Sequence, residues 1–206
     1  MAISYPISFP TVRGVMSLNW RAVRVDALSQ SPFTYTQQVV RHAGQRWEAD
    51  VTMPPLERAE AMEFIGFLRK LDGRYGTFTF TPPDASTPRG SIGGTPVVNG
   101  ASQTGSELAI TGAPASETGW LLAGDYIQLG SAATTRLHQV VSDANTDGSG
   151  NVTLDIWPNL RSSPANAATV VVSGASGLFR LASPSSDYQV DHANIYGIAF
   201  SMVEAI

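Results

Sequence analysis

The stretch RWEADVTMPPLERAEAMEFIGFLRKL, Arg46–Leu71, decides how the rest of the chain is read. Trp47, Ala49, Val51 and Met53 alternate with Glu48, Asp50 and Thr52. That period of two marks a strand with one buried face. Pro54-Pro55 ends the strand, and Pro55 or Leu56 can open a helix, because a missing N–H costs nothing in a first turn. On a helical wheel Leu56, Ala61, Phe64, Ile65, Phe67, Leu68 and Leu71 share one apolar arc, with Arg58, Glu63, Arg69 and Lys70 opposite. Glu57 and Glu60 suit the positive end of a helix dipole, and Asp72-Gly73 stops it, with Gly73 as C′ residue. The pattern predicts a single amphipathic helix over 56–71.

Outward from that helix the chain reads as strands. Upstream, Val23, Val25 and Ala27 alternate with polar residues, and Phe33 to Gln38 alternate in the same way. Downstream, YGTFTFTPP puts Phe78 and Phe80 on one face of a strand. From Asp84 to Gly119 the composition shifts to Gly, Ser, Thr, Pro and Ala, with short strands at TPVVNG and SELAITG. LLAGDYIQLG, TTRLHQVV, NVTLDIWPNL and ATVVVSG then give closely spaced strands separated by turn signals, the pattern of a small barrel. DHANIYGIAFSMVEAI is a long terminal strand that is expected to return to the first sheet. The expected organisation is mainly β. Residues 1–88 and 174–206 make one domain with the helix, and 89–173 an inserted small β barrel.

The bulk numbers exclude several function classes. The chain has 206 residues, 43% of them hydrophobic, so a real core is feasible. Only 15% are charged, against a usual quarter, which suits a surface covered by other subunits. A net charge of -4 gives no reason to expect tight nucleic-acid binding. There are no cysteines, hence no disulfide, thiolate nucleophile or Cys-based zinc site. MAISYPISFPTV has two prolines and no basic region, unlike a signal peptide, and no apolar run approaches the ~20 residues of a membrane span.

Few residues suggest chemistry. In DANTDGSGN, Asp143, Asn145, Asp147 and Gly148 match the first half of a calcium-binding EF-hand loop. The twelfth position, which needs a bidentate Glu, is Leu154, so a polar hairpin loop with Gly148 and Gly150 at positive φ is the expectation. His42, His138 and His192 are scattered. Nucleophile-elbow, phosphate-loop and dinucleotide motifs are missing from the sequence, and Asp187 and Asp191 are an unremarkable acidic pair. Trp120, Tyr126 and Trp157 are the candidate ligand-facing aromatics, a face on which a sugar could stack. Packing in the barrel core is the favoured reading of the two tryptophans. The expectation is therefore a non-enzyme with no catalytic residue, metal or cofactor.

The order of these segments resembles the distal tail protein family of long-tailed, non-contractile (siphovirus-type) bacteriophages. The residues that carry the resemblance are Trp47-x-x-x-Val51, Leu56, Phe64, Leu68, Gly73, Gly76-Thr77-Phe78 and the phrase GLFRLASP, Gly177–Pro184. The resemblance implies a tail-tube-like β-sandwich with one flanking helix and an inserted barrel of the oligonucleotide/oligosaccharide-binding (OB) type. It also implies a structural virion protein, assembled in the host cytoplasm as a homohexameric ring between the tail tube protein and the tail tip or baseplate hub proteins. DNA would only pass through the lumen, and no membrane would be involved. In such a ring, sheet edges rather than the helix are expected to join subunits, with WEADVTM and IYGIAFSMV as candidate edges. A carbohydrate-binding β module is the alternative reading, and a hydrolase with a dispersed site ranks last.

Overall fold

A computed structural model describes residues 3–11 and 13–206. The protein is mainly β, with one helix, a mixed seven-stranded sheet and a nearly closed six-stranded sheet beside it. The strands are β1 (Ile7–Ser8), β2 (Ser17–Gln30), β3 (Gln37–Thr52), β4 (Phe78–Phe80), β5 (Val97–Val98), β6 (Gly105–Thr111) and β7 (Tyr126–Leu129). They continue as β8 (Arg136–Val140), β9 (Val152–Leu160), β10 (Val170–Val171), β11 (Gly177–Leu181), β12 (Tyr188–Val190) and β13 (Tyr196–Glu204). The helix α1 is Arg58–Lys70.

The first sheet runs β1-β4-β11-β13-β3-β2, with β12 paired to β13. Its inner face follows the period of two in the sequence. Trp47, Ala49 and Val51 of β3 and Met53 just after it are buried, and the registers put Phe200 opposite Val51 and Met202 opposite Ala49. On the other side of β3, Leu18 faces Val51 and Trp20 faces Ala49. β13 thus returns to β3, the pairing expected of the terminal strand. The expected role of β3 and β13 as free edges is wrong, however. Each has neighbours on both sides, β3 lying between β13 and β2, and β13 between β3 and β11. Over Glu48–Thr52, where β3 meets β13, these strands are already spent inside the sheet.

The helix begins two residues later than its apolar arc predicts. The amide of Leu56 donates to Tyr196 O at 3.0 Å and its carbonyl accepts from Tyr196 N at 2.9 Å, so Leu56 is a β-bridge residue. Its side chain is still buried with Ala61, Phe64, Phe67, Leu68 and Leu71, while Arg58, Glu63, Arg69 and Lys70 are exposed. Burying these apolar side chains stabilises the helix on the order of 10 kcal/mol, far more than its intrinsic propensity. At the C-terminus both Asp72 (φ 49°) and Gly73 (φ 62°) turn left-handed, and Gly76 N donates to Leu71 O. A Cβ on Gly73 would lie 3.1 Å from Pro184 O.

The second sheet runs β10-β7-β8-β9-β6-β5. Its ends are stitched together: Val98 N donates to Ala168 O, Val170 N to Pro96 O and Ala167 N to Val98 O. These bonds satisfy the two edges that an open sheet would leave unpaired. Leu108, Ile110, Ile127, Val140, Leu154 and Ile156 fill its interior. All strands between Val97 and Val171 belong to this sheet, and the chain rejoins the first sheet at β11. The contact between the sheets includes a cluster of aromatic rings. Trp47 stacks edge-on to Trp157 at 4.4 Å between ring centroids, and its indole N–H donates to Leu137 O at 3.0 Å.

Candidate functional site

The most distinctive surface is the outer half of the β2–β3 hairpin. Up to Arg24↔Gln45 the two strands belong to the sheet, and then the register jumps to Asp26↔Arg41. β3 therefore carries two extra residues, a bulge that re-aims the strands. Gly44 sits in it, where a Cβ would stand 2.8 Å from Val25 Cγ2. Beyond the bulge the pairs Ala27↔Val40, Leu28↔Val39, Ser29↔Gln38 and Gln30↔Gln37 continue to a tip at residues 31–36. Five paired positions extend the arm by about 17 Å before the tip.

Residues 24–30 and 36–44 are exposed throughout. Leu28 (58% exposed) and Val39 (55%) lie side by side on one face, Ala27 and Val40 (47%) on the other, with Phe33 (91%) and Tyr35 (73%) at the tip. The tip is itself well bonded. Ser31 N donates to Thr36 O, Tyr35 N to Ser31 O, and the Ser31 hydroxyl accepts from the amides of Phe33 and Thr34. The strand expected at Phe33–Gln38 is thus a turn up to Thr36, held open by Tyr35 at φ 56° and by the Ser31 hydroxyl. An arm of this kind carries one apolar pair on each face, among polar pairs, and has no core of its own.

The aromatic candidates do not come together as a stacking face. Trp120 is fully buried in the barrel interior, its indole N–H donating to Gly93 O at 3.3 Å. Tyr126 (6% exposed) and Trp157 pack instead around Trp47, in the core of the first sheet. Burial pushes the Tyr126 phenol up to about 12, with the charge of Asp84 as a smaller cause. Trp120 and Tyr126 are consumed by packing, while Trp157 is only part-buried against the same core.

The polar candidates are likewise bound into the framework. Asp147 accepts from the amides of Ser149 and Asn151 and from the Asn151 side chain; these bonds hold its carboxyl below the usual range. Asp143 accepts from Ala123 N and Asn145 from Gly119 N. Leu154 is buried in β9, and of the two glycines only Gly150 (φ 74°) has positive φ. Asp50 is held low by Arg21 and then by the Ser201 hydroxyl. Asp191 accepts from the amides of Ala193 and Ile195 within its own turn, and Asp187 is exposed. His42 and His192 are exposed, whereas His138 is buried and its Nδ1 bonds Pro158 O at 2.6 Å. Among the described residues no three His, Cys, Asp or Glu side chains converge as a metal site, and no helix is long and apolar enough to cross a membrane.

A part-buried ion pair at the junction of the two sheets escapes sequence reasoning. Arg161, just after β9, grips both carboxylate oxygens of Glu204 at 2.7 Å and donates to Gln45 O at 2.5 Å. Trp47 N donates to the same carboxylate at 3.1 Å. Nothing in the local sequence around Arg161 or Glu204 signals this, since the partners are 43 positions apart. No protein-family model matches this sequence, and no curated protein matches it.

Proposed function

We propose that this chain is a structural subunit of a bacteriophage tail, of the distal tail kind, which assembles as a ring between the tail tube and the tail tip. The observation that carries the reading is the projecting β2–β3 arm. A two-stranded hairpin is marginal in water by itself, and one with apolar side chains on both faces gains most when another surface covers it. A ring of identical subunits supplies such a surface at every position, because a heterologous contact that closes leaves no arm uncovered. The mainly β fold, the single helix with a solvated outer face and the low content of charged residues agree with this role. The six-membered ring and the tail partners are the resemblance's contribution to the proposal.

Light scattering on the purified chain, followed by negative-stain images, tests the reading. The expected result is a mass of several chains with ring-shaped particles, lost when residues 26–41 are replaced by a short Gly-Asn turn. A chain that stays monomeric at high concentration, and still fails to assemble on purified tail tubes, would refute it.

A further inference from the structure

Between β7, β8 and the segment after β9 the barrel holds a cavity of about 290 Å³. Leu129, Leu160, Pro164 and Ala168 give it an apolar wall, and Arg136 and Ser162 bring polar groups to it. Its size lies at the lower end of pockets that take small molecules, ~300 Å³ and up.

The charge in this cavity is unbalanced in a specific way. Two arginines line it, but the charge of Arg161 is paired with Glu204, and it also donates to Gln45 O. Glu204 in turn has both oxygens occupied by Arg161 and Trp47 N. Arg136 is different. Among the described residues its guanidinium makes one hydrogen bond, to Thr135 O at 2.8 Å, and no ion pair. Burial lowers its pKa, and Arg161 opposes its charge while Glu204 favours it. His138, also on the lining, is held neutral near pH 7 by burial. The cavity therefore presents one cation with no direct ion pair among the described residues, a planar fork with most of its donors unused, against an apolar wall.

We propose that this cavity binds a small monocarboxylate, its carboxylate on the guanidinium of Arg136 and its compact apolar body against Leu129, Leu160 and Pro164. The guanidinium fork matches a carboxylate bidentately. One positive charge neutralises one carboxylate. A phosphate monoester carries close to two charges at neutral pH and would leave one of them desolvated beside apolar walls. Ser162 also lines the cavity. The assignment is independent of ring assembly, since the cavity belongs to the barrel and the arm to the other sheet.

The test is an amide NMR titration of the full chain with benzoate, with benzamide as the neutral isostere and inorganic phosphate as the competing anion. Benzoate should give saturable shifts at Arg136, Ser162 and Ala168. Benzamide should bind at least about tenfold more weakly, the loss expected when a charge-assisted pair is removed. Arg136→Gln should weaken benzoate binding by a similar factor. Should Arg136→Gln not fold, as its spectrum would reveal, Ala168→Met narrows the cavity with Arg136 in place and should also weaken binding. The proposal is overturned if millimolar benzoate causes no saturable shift, if benzamide binds equally, or if the folded variant binds undiminished. Tighter binding of phosphate than of benzoate at these residues would overturn the ligand class.

Discussion

Arg161 and Glu204 form a bidentate pair across the junction of the two sheets, with the glutamate side chain only 2% exposed. Two more groups depend on that geometry, Gln45 O through Arg161 and Trp47 N through Glu204. Removing Arg161 leaves the buried carboxylate of Glu204 without its counter-charge. Arg161→Met is expected to destabilise the protein by about 3–5 kcal/mol, and adding Glu204→Gln should recover part of that loss. Urea unfolding of the two single variants and the double variant checks this. Strict additivity would mean that the pair does not couple the sheets.

His138 makes stability depend on pH. Burial pushes its pKa down to about 4, against about 6.5 in an unfolded chain. Between those values the unfolded state binds the extra proton, so stability rises with pH through this window and falls as pH drops. Above pH ~6.5 both states are neutral and the contribution is complete; toward pH ~4 a loss on the order of 3 kcal/mol accumulates. Carboxylates such as Asp50 and Asp147, whose pKa values are lowered, add their own loss further into the acid range. Urea midpoints from pH 7 to 4.5 should therefore fall more steeply for the natural chain than for His138→Gln. Parallel curves would count against a buried neutral imidazole.

The loop around Asp147 is expected to be a structural turn. Its carboxylate closes the turn on the amides of Ser149 and Asn151, and Gly150 approaches Ala113 O so closely that a Cβ would sit 2.1 Å from it. Asp147→Ala and Gly150→Ala should each lower the melting temperature. Calcium should not raise it in the natural chain, because position twelve of the motif is the buried Leu154. A calcium-dependent rise in melting temperature, with saturable heat in calorimetry, would reverse this view.

Local periodicity made the fold largely readable. The alternation of Trp47, Ala49, Val51 and Met53, the apolar arc Ala61–Leu71 and the phenylalanines 78 and 80 each report a buried face directly, and of these apolar residues only Ile65 is no more than partly buried. Misreadings arose where a tertiary bond overrides local pattern. Leu56 belongs to the apolar arc, yet its backbone is claimed by Tyr196. Phe33–Gln38 alternates like a strand, yet the Ser31 hydroxyl and a left-handed Tyr35 make most of it a turn. The arm was unreadable for the same reason. Leu28, Val39 and Val40 look like ordinary strand residues, and only the register jump at Gly44 reveals that no layer covers them. Arg136 and Arg161 carry no motif at all, because their significance lies in which of them found a carboxylate.

The arm and the helix make opposite predictions for assembly. The outer face of α1 carries Arg58, Glu63, Arg69 and Lys70, all exposed, and its apolar arc is spent on the protein's own core. Reversing charge there with Arg58→Glu and Arg69→Glu should leave the oligomer intact, since among the described residues the only side-chain bond at stake is Arg69 to the Ser186 hydroxyl. The arm presents Leu28 and Val39 on one face and Val40 on the other. Leu28→Ser with Val40→Ser removes apolar surface from both faces and touches no buried residue. Monomer stability should therefore change by less than ~1 kcal/mol, in keeping with exposed sites. At about 25 cal/mol per Å2, the same surface covered by a neighbour would contribute a few kcal/mol per subunit contact, a loss of tenfold or more in association at each contact. Sedimentation of both double variants separates the cases. An oligomer that survives the arm substitutions but dissolves on charge reversal of the helix would move the interface from β2–β3 to α1.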